Sequence, residues 1–154
     1  MTDASENFDP EAVLAALAGA GVEFVLIGGV AAQVFGVSRA TGDIDVLIHR
    51  TPENYARLAA CFEALVPDHD AFDLARGENI RVLTTHGILD LLVASGGLEY
   101  DAAAKRAVTT KLGNVDVLVA GLDDLVYMKR VAGRPKDLLD LAELTTPTSQ
   151  HHGS

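Results

Sequence analysis

A chain of 154 residues, 49% hydrophobic and 22% charged, holds enough apolar material for one packed domain and is too short for two ordinary ones. Its formal net charge of −10 excludes broad, sequence-blind binding to nucleic acid, which needs a basic surface, and leaves open a nucleic-acid substrate gripped locally. The single cysteine, Cys61, permits no disulfide within the chain, the start is acidic rather than a signal peptide, and no apolar run nears the length of a membrane span, so a cytoplasmic protein without membrane contact is expected.

Residues 1–8 are polar and acidic and are expected to be loose. Asp9-Pro10-Glu11 predicts a helix start: a capping acid, a proline at the first position and a carboxylate in the first turn. The helix ends at the glycines of 19–21. Residues 23–27 predict a buried strand, broken by Gly28-Gly29, with a short helix over 30–35 closed by Gly36. Residues 37–42 form a loop and 43–48 a second strand, in which Ile44, Val46 and Ile48 are expected not to share a single face. A helix from Thr51-Pro52-Glu53 runs to about Leu65, followed by a turn at 67–70. Strands are predicted over 71–74, 79–84 and 88–93, with His86-Gly87 turning the last two into a hairpin. Next come a short helix over 100–106 and a small hairpin, 108–112 and 115–119, around Gly113-Asn114. A helix over 122–131 is interrupted by Gly133-Arg134-Pro135 and resumes over 135–144. The tail 145–154 is expected to be disordered. Helices mixed with hairpins predict an α/β (α+β) domain over 9–144, with a mixed β-sheet flanked by helices and a short C-terminal helical segment.

The chemistry concentrates in residues 24–48. Glycines after a buried strand either make a plain turn or let the backbone approach a phosphate closely, beside the free N–H groups of a helix start. Asp43 and Asp45, two apart on a strand, share a face. Either they end an exposed strand, or a Mg²⁺ ion coordinated by both removes their repulsion. Asp90 stands inside the apolar run Gly87–Val93, which is costly unless it faces water at an edge or finds a partner. If its strand lies beside that of Asp43 and Asp45, three carboxylates converge and can hold one or two divalent ions for an in-line displacement at a triphosphate. His49, His69 and His86 show no metal spacing and are given no role.

Gly28-Gly29, the spacer 30–42, Asp43-Ile44-Asp45-Val46 and the later Asp90 together resemble the signature of the nucleotidyltransferase (polymerase beta-like) superfamily. Ser38-Arg39-Ala40-Thr41-Gly42-Asp43-Ile44-Asp45 looks most like its bacterial AbiEii/MenT-like toxin–antitoxin branch. So does the ending, Met128-Lys129-Arg130 followed by Gly133-Arg134-Pro135-Lys136-Asp137-Leu138-Leu139-Asp140-Leu141. The resemblance spans about residues 22–144. It implies the nucleotidyltransferase fold, with Gly28 and Gly29 against the triphosphate, and Mg²⁺ (or Mn²⁺) on Asp43 and Asp45. Asp90 would complete the metal site or act as base. Arg39, Thr41, Lys129 and Arg134 would contact the nucleotide, and Asp137 would position Lys129 or Arg134. Each of these has a plainer reading: a solvated arginine, a turn hydroxyl, a surface lysine, first-turn helix charges.

The expected function is transfer of a nucleoside monophosphate from an NTP to a hydroxyl, on an RNA (tRNA) 3′ end or a protein, in a toxin–antitoxin system with a cognate partner. Nothing in the sequence chooses ATP over CTP, GTP or UTP. The alternative is a catalytically weak partner-binding module or antitoxin that keeps the fold. A dinucleotide binder is excluded because Gly28-Gly29-Val30 lacks the Gly-x-Gly-x-x-Gly pattern and leaves the acid pair without a role.

Overall fold

The computed structural model describes residues 8–65 and 79–146. The expected turn at 67–70 and strand at 71–74 lie outside the described residues, as do residues 1–7 and 147–154. Phe8, at the end of the expected loose start, packs against the core, and Thr145 closes the last helix.

The chain alternates between short helices and strands that its punctuation sets up. Helix α1 (Pro10–Gly19) starts where the Asp9 side chain accepts a hydrogen bond from the Ala12 amide at 3.1 Å. Strand β1 (Phe24–Ile27), buried at every position, runs straight into α2 (Gly28–Val34). The expected helix over 30–35 therefore begins two residues earlier. Gly28, at φ +74°, turns the backbone within a single residue, which a residue bearing a Cβ does at a cost. Strand β2 (Asp43–Ile48) and helix α3 (Pro52–Leu65) follow, then β3 (Ile80–Thr84) and β4 (Gly87–Leu92) as a hairpin, α4 (Tyr100–Arg106), the hairpin β5 (Val108–Leu112) and β6 (Val115–Val119), α5 (Leu122–Ala132) and α6 (Pro135–Thr145). Between the last two helices, Gly133 takes the left-handed conformation, its N–H bonds the Lys129 carbonyl at 2.9 Å, and Pro135 opens the next helix.

Among the described residues, six strands form one mixed sheet in the order β3-β4-β2-β1-β6-β5. Strand β2 pairs antiparallel with β1 and parallel with β4; β1 pairs parallel with β6; both hairpins are antiparallel. Ile44, Val46 and Ile48 are all buried. Spaced by two, they occupy one face of β2, opposite Asp43 and Asp45, which corrects the expectation that they do not share a face. One apolar cluster built from Val13, Leu14 and Leu17 of α1, the strands, Leu58 and Phe62 of α3, and Leu125 and Met128 of α5 holds the layers together. Among the described residues no helix is long and apolar enough to cross a membrane.

Candidate active site

The site forms where β1 ends and β2 begins. Along β2, Asp43 and Asp45 are partly buried while Leu47, on the same face, is fully buried. The acids thus sit at the open end of a strand whose other end is sealed. The parallel pairing of β2 with β4 sets Asp45 directly beside Asp90. Registered neighbours share a face, so the expected convergence of acids from two strands is present.

Bringing them together shifts their chemistry. Burial, then a hydrogen bond to Asp90, then the charges of Asp90 and Asp43 push the Asp45 carboxyl up to about 7, with Lys136 pulling weakly the other way. The cluster carries more negative charge than its neighbourhood balances. Asp90 is held by Arg81 of β3, which stands opposite it in the hairpin register and donates from Nε at 2.8 Å and from Nη2 at 3.0 Å, one to each carboxylate oxygen. The same guanidinium lies 3.5 Å from Asp43 Oδ2. Among the described residues, no three His, Cys, Asp or Glu side chains are grouped so as to hold a metal ion; a guanidinium stands among the acids instead.

The glycine pair serves the acids first. A Cβ on Gly28 would overlap the Asp45 carboxyl, and one on Gly29 would come within 3.0 Å of Thr41 Cβ. Thr41 Oγ1 accepts from the Asp43 amide at 3.3 Å and so shapes the entry to β2. Gly28→Ala is expected to cost about 2 kcal/mol or more, through the positive φ and the displaced carboxyl. A chemical denaturation curve checks this, and Gly28→Ala/Asp45→Ala is expected to recover the part due to overlap but not the part due to φ.

Opposite the acids, α5 and α6 supply a second group of charges. Lys129 is buried, with Nζ 2.8 Å from Asp140 Oδ2 and 3.6 Å from Asp137 Oδ1. Arg39, expected at phosphates, donates from Nε at 2.9 Å and Nη2 at 2.8 Å to Asp140, tying the loop before β2 to α6. Ser38 reinforces the tie through Glu143. Asp137 accepts from the Arg134 amide at 3.1 Å and from Arg134 Nε at 2.6 Å, so it contacts both Lys129 and Arg134. For Asp137 and Asp140, burial alone would raise the pKa; hydrogen bonds from Arg134 and Arg39, helped by Lys129, outweigh it and hold both below the usual carboxylate range. A cleft of about 190 Å³ lies between the two groups. Gly28, Asp45 and Asp90 line one side, Lys129, Arg134 and Asp137 the other, with Leu125 and Met128 as its apolar wall.

The structure therefore brings Gly28, Asp45, Asp90, Lys129, Arg134 and Asp137 to one cleft, with Asp43, Gly29 and Thr41 adjoining. Arg39 is engaged by Asp140. Two residues were given no role from sequence. Arg81 does not follow from the expected turn: His86-Gly87 as the two turn residues would set residue 83 opposite residue 90, whereas the chain turns one residue earlier, at Thr85-His86, and brings residue 81 there. Asp140 does not follow either, because its partner Arg39 is distant in sequence.

No family model matches the chain, and no curated protein sequence matches it. Solved structures do. The antibiotic-resistance factor ANT(2'')-Ia aligns with a TM-score of 0.61 at 15% identity, over 93% of this chain and 84% of its own. A Thermotoga maritima protein assigned to the nucleotidyltransferases aligns with a TM-score of 0.59 at 14% identity, over 86% of this chain and 88% of its own. An antigenic nucleotidyltransferase-like protein of Paracoccidioides brasiliensis aligns with a TM-score of 0.51 at 15% identity, over 88% and 72%. The chain has the nucleotidyltransferase fold. Within that fold, the acids of β2 and β4 and the charges of α5 and α6 face each other across the cleft described above.

Proposed function

We propose that this protein is a metal-dependent nucleotidyltransferase that moves a nucleoside monophosphate from an NTP to a hydroxyl and releases pyrophosphate. The observation that carries the proposal is the Asp45–Asp90 pairing beside Gly28, lining a cleft that Lys129, Arg134 and Asp137 also line. The donor set fits a hard divalent cation: the oxygens are carboxylate, and the buried Asp45 has another acid for its neighbour rather than a cation. Mg²⁺ or Mn²⁺ would be held by Asp43, Asp45 and Asp90, and when bound it supplies charge neutralisation at the triphosphate. Lys129 and Arg134 present positive charge to the nucleotide, and Asp137 positions both. Gly28 and Gly29 leave the backbone open to the triphosphate, with Thr41 and Arg39 at the rim. The acceptor oxygen forms a bond to the α-phosphorus, the bond to the β-phosphate bridging oxygen breaks, pyrophosphate leaves, and the hydroxyl proton passes to a carboxylate of the cluster, which we assign to Asp90.

The finer placement in the AbiEii/MenT-like branch, with an RNA 3′ end or a partner protein as acceptor, rests on Arg39-Ala40-Thr41-Gly42-Asp43-Ile44-Asp45 and the Lys129 to Leu141 ending. A second acceptor class is favoured by a separate observation. ANT(2'')-Ia has been captured with adenylyl-2''-tobramycin, and a chain of net charge −10 suits a polycationic small molecule better than a polyanion. The non-enzymatic alternative is a partner-binding antitoxin that keeps this fold.

One experiment separates these readings. The protein is incubated with Mg²⁺, each α-labelled NTP in turn, and total tRNA, cell lysate or an aminoglycoside. Label on RNA, on a protein band or on the aminoglycoside names the acceptor and the nucleotide. NTP binding without label on any of the three would favour the binding module.

A further inference from the structure

We propose that Arg81 is a tethered counter-cation for the acid cluster: its guanidinium occupies the carboxylate oxygens that a divalent ion would take, must withdraw when the ion enters, and thereby sets the protein's affinity for metal. This rests on the metal-dependent reading above and concerns a residue that reading does not use.

Three observations support it. Both oxygens of Asp90 accept from Arg81, at 2.8 Å and 3.0 Å, in the two-pronged geometry by which a guanidinium saturates a carboxylate. The same side chain reaches Asp43 at 3.5 Å, so one charge spans acids from two strands. Arg81 is also free to leave. It sits on β3, the edge strand of the sheet among the described residues, and its side chain is 61% exposed against 14% for Asp90. Withdrawal uncovers the acid by moving a side chain that already lies largely in solvent.

The other cations of the site are not placed to do this. Lys129 is committed to Asp137 and Asp140, and Arg134 to Asp137, all on the far side of the cleft. Arg81 is the cation in contact with Asp90 and Asp43 among the described residues. A like charge and a metal ion cannot share the same oxygens, so the two compete, and the apo cluster is partly balanced without one.

The test is direct Mn²⁺ binding, followed by electron paramagnetic resonance of free ion, with no nucleotide and no turnover. Arg81→Gln is expected to bind Mn²⁺ about threefold to tenfold more tightly than wild type, the scale of a lost exposed ion pair with two acids. Arg81→Lys, which keeps the charge and loses the fork, falls between them. Lys105→Gln, an exposed residue of α4, makes the same change in net charge and is expected to bind as wild type does. Asp45→Asn is expected to bind far more weakly, which establishes that the ion sits in the acid cluster. Equal or weaker binding by Arg81→Gln, with Asp45→Asn still impaired, overturns the role of Arg81 and leaves the metal-dependent reading standing. Absence of Mn²⁺ binding in wild type and Arg81→Gln alike overturns both. Should Arg81→Gln fail to fold, Arg81→Lys decides: tighter binding than wild type supports the role, and weaker or unchanged binding refutes it.

Discussion

Asp45→Ala is expected to abolish nucleotidyl transfer, by at least about a thousandfold, while the protein stays folded. The reason lies in the register that places Asp45 between Asp43 on its own strand and Asp90 on the next. Removing it leaves Asp90 lining the cleft and Asp43 adjoining it on another strand, with no carboxylate between them to complete an ion site. The same crowding predicts an unusual stability result. At pH 8 an ionised Asp45 sits partly buried against two like charges, so replacing it with alanine, which keeps the β-carbon, removes repulsion and the burial cost of the charge. The thermal midpoint of metal-free Asp45→Ala is therefore expected at or above that of wild type, and added Mg²⁺ is expected to raise the midpoint of wild type but not of the variant. Transfer by Asp45→Ala at the wild-type rate would falsify the proposed mechanism. A large drop in its midpoint would mean that Asp45 serves the fold instead.

Asp140 predicts the reverse pattern. It is fully buried and accepts from Lys129 and from both Nε and Nη2 of Arg39. Asp140→Ala strands the buried Lys129 ammonium with only Asp137, 3.6 Å away. Breaking one side of a buried ion pair costs about 3–5 kcal/mol, a large part of the stability of a chain this size. Urea denaturation of Asp140→Ala is expected to show that loss. The double variant Lys129→Met/Asp140→Leu is expected to recover most of it, because matched apolar groups carry no desolvation cost, yet to remain inactive in transfer if Lys129 meets the nucleotide. Recovery of activity along with stability would reduce Lys129 to a structural role.

The direction of pH dependence follows from the same network. The folded-state pKa values of Asp137 and Asp140 are depressed, so the folded protein binds fewer protons than the unfolded chain. Their contribution to stability is complete above the unfolded carboxylate value of about 3.9 and is lost as the pH falls through the lower folded values. Asp140→Ala is therefore expected to narrow its deficit against wild type as acid is added, and equilibrium denaturation from pH 7 down to pH 3 measures the gap.

Local chemistry was the legible part of this chain. Asp9-Pro10, Thr51-Pro52 and Gly133-Arg134-Pro135 start and stop helices because caps and prolines act on the nearest turn, and α1, α3 and α6 begin where those residues place them. The hairpin around Gly113-Asn114 is equally local, while the other hairpin turns at Thr85-His86, one residue before the expected pair. Asp43 and Asp45 face the same way because a strand repeats every two residues, whatever surrounds it. The start of α2 was missed by two residues because the left-handed turn at Gly28 depends on how close the next strand comes. For Arg39 and Lys129 the sequence shows the charge but not the neighbours. In the structure both are paired to Asp140, more than a hundred residues from Arg39.

By itself, then, the sequence determined the order of elements, the shared face of Asp43 and Asp45, and the glycines that let the chain turn sharply before them. Those depend on backbone geometry and on residues a few positions apart. Only the tertiary structure decided that β4 lies parallel to β2 with Asp90 level with Asp45, that Arg81 covers the acids, and that Asp140 gathers Arg39 and Lys129. Those arrangements depend on strand order and on charges brought together from distant parts of the chain, where burial and partner, rather than residue type, set what each group does.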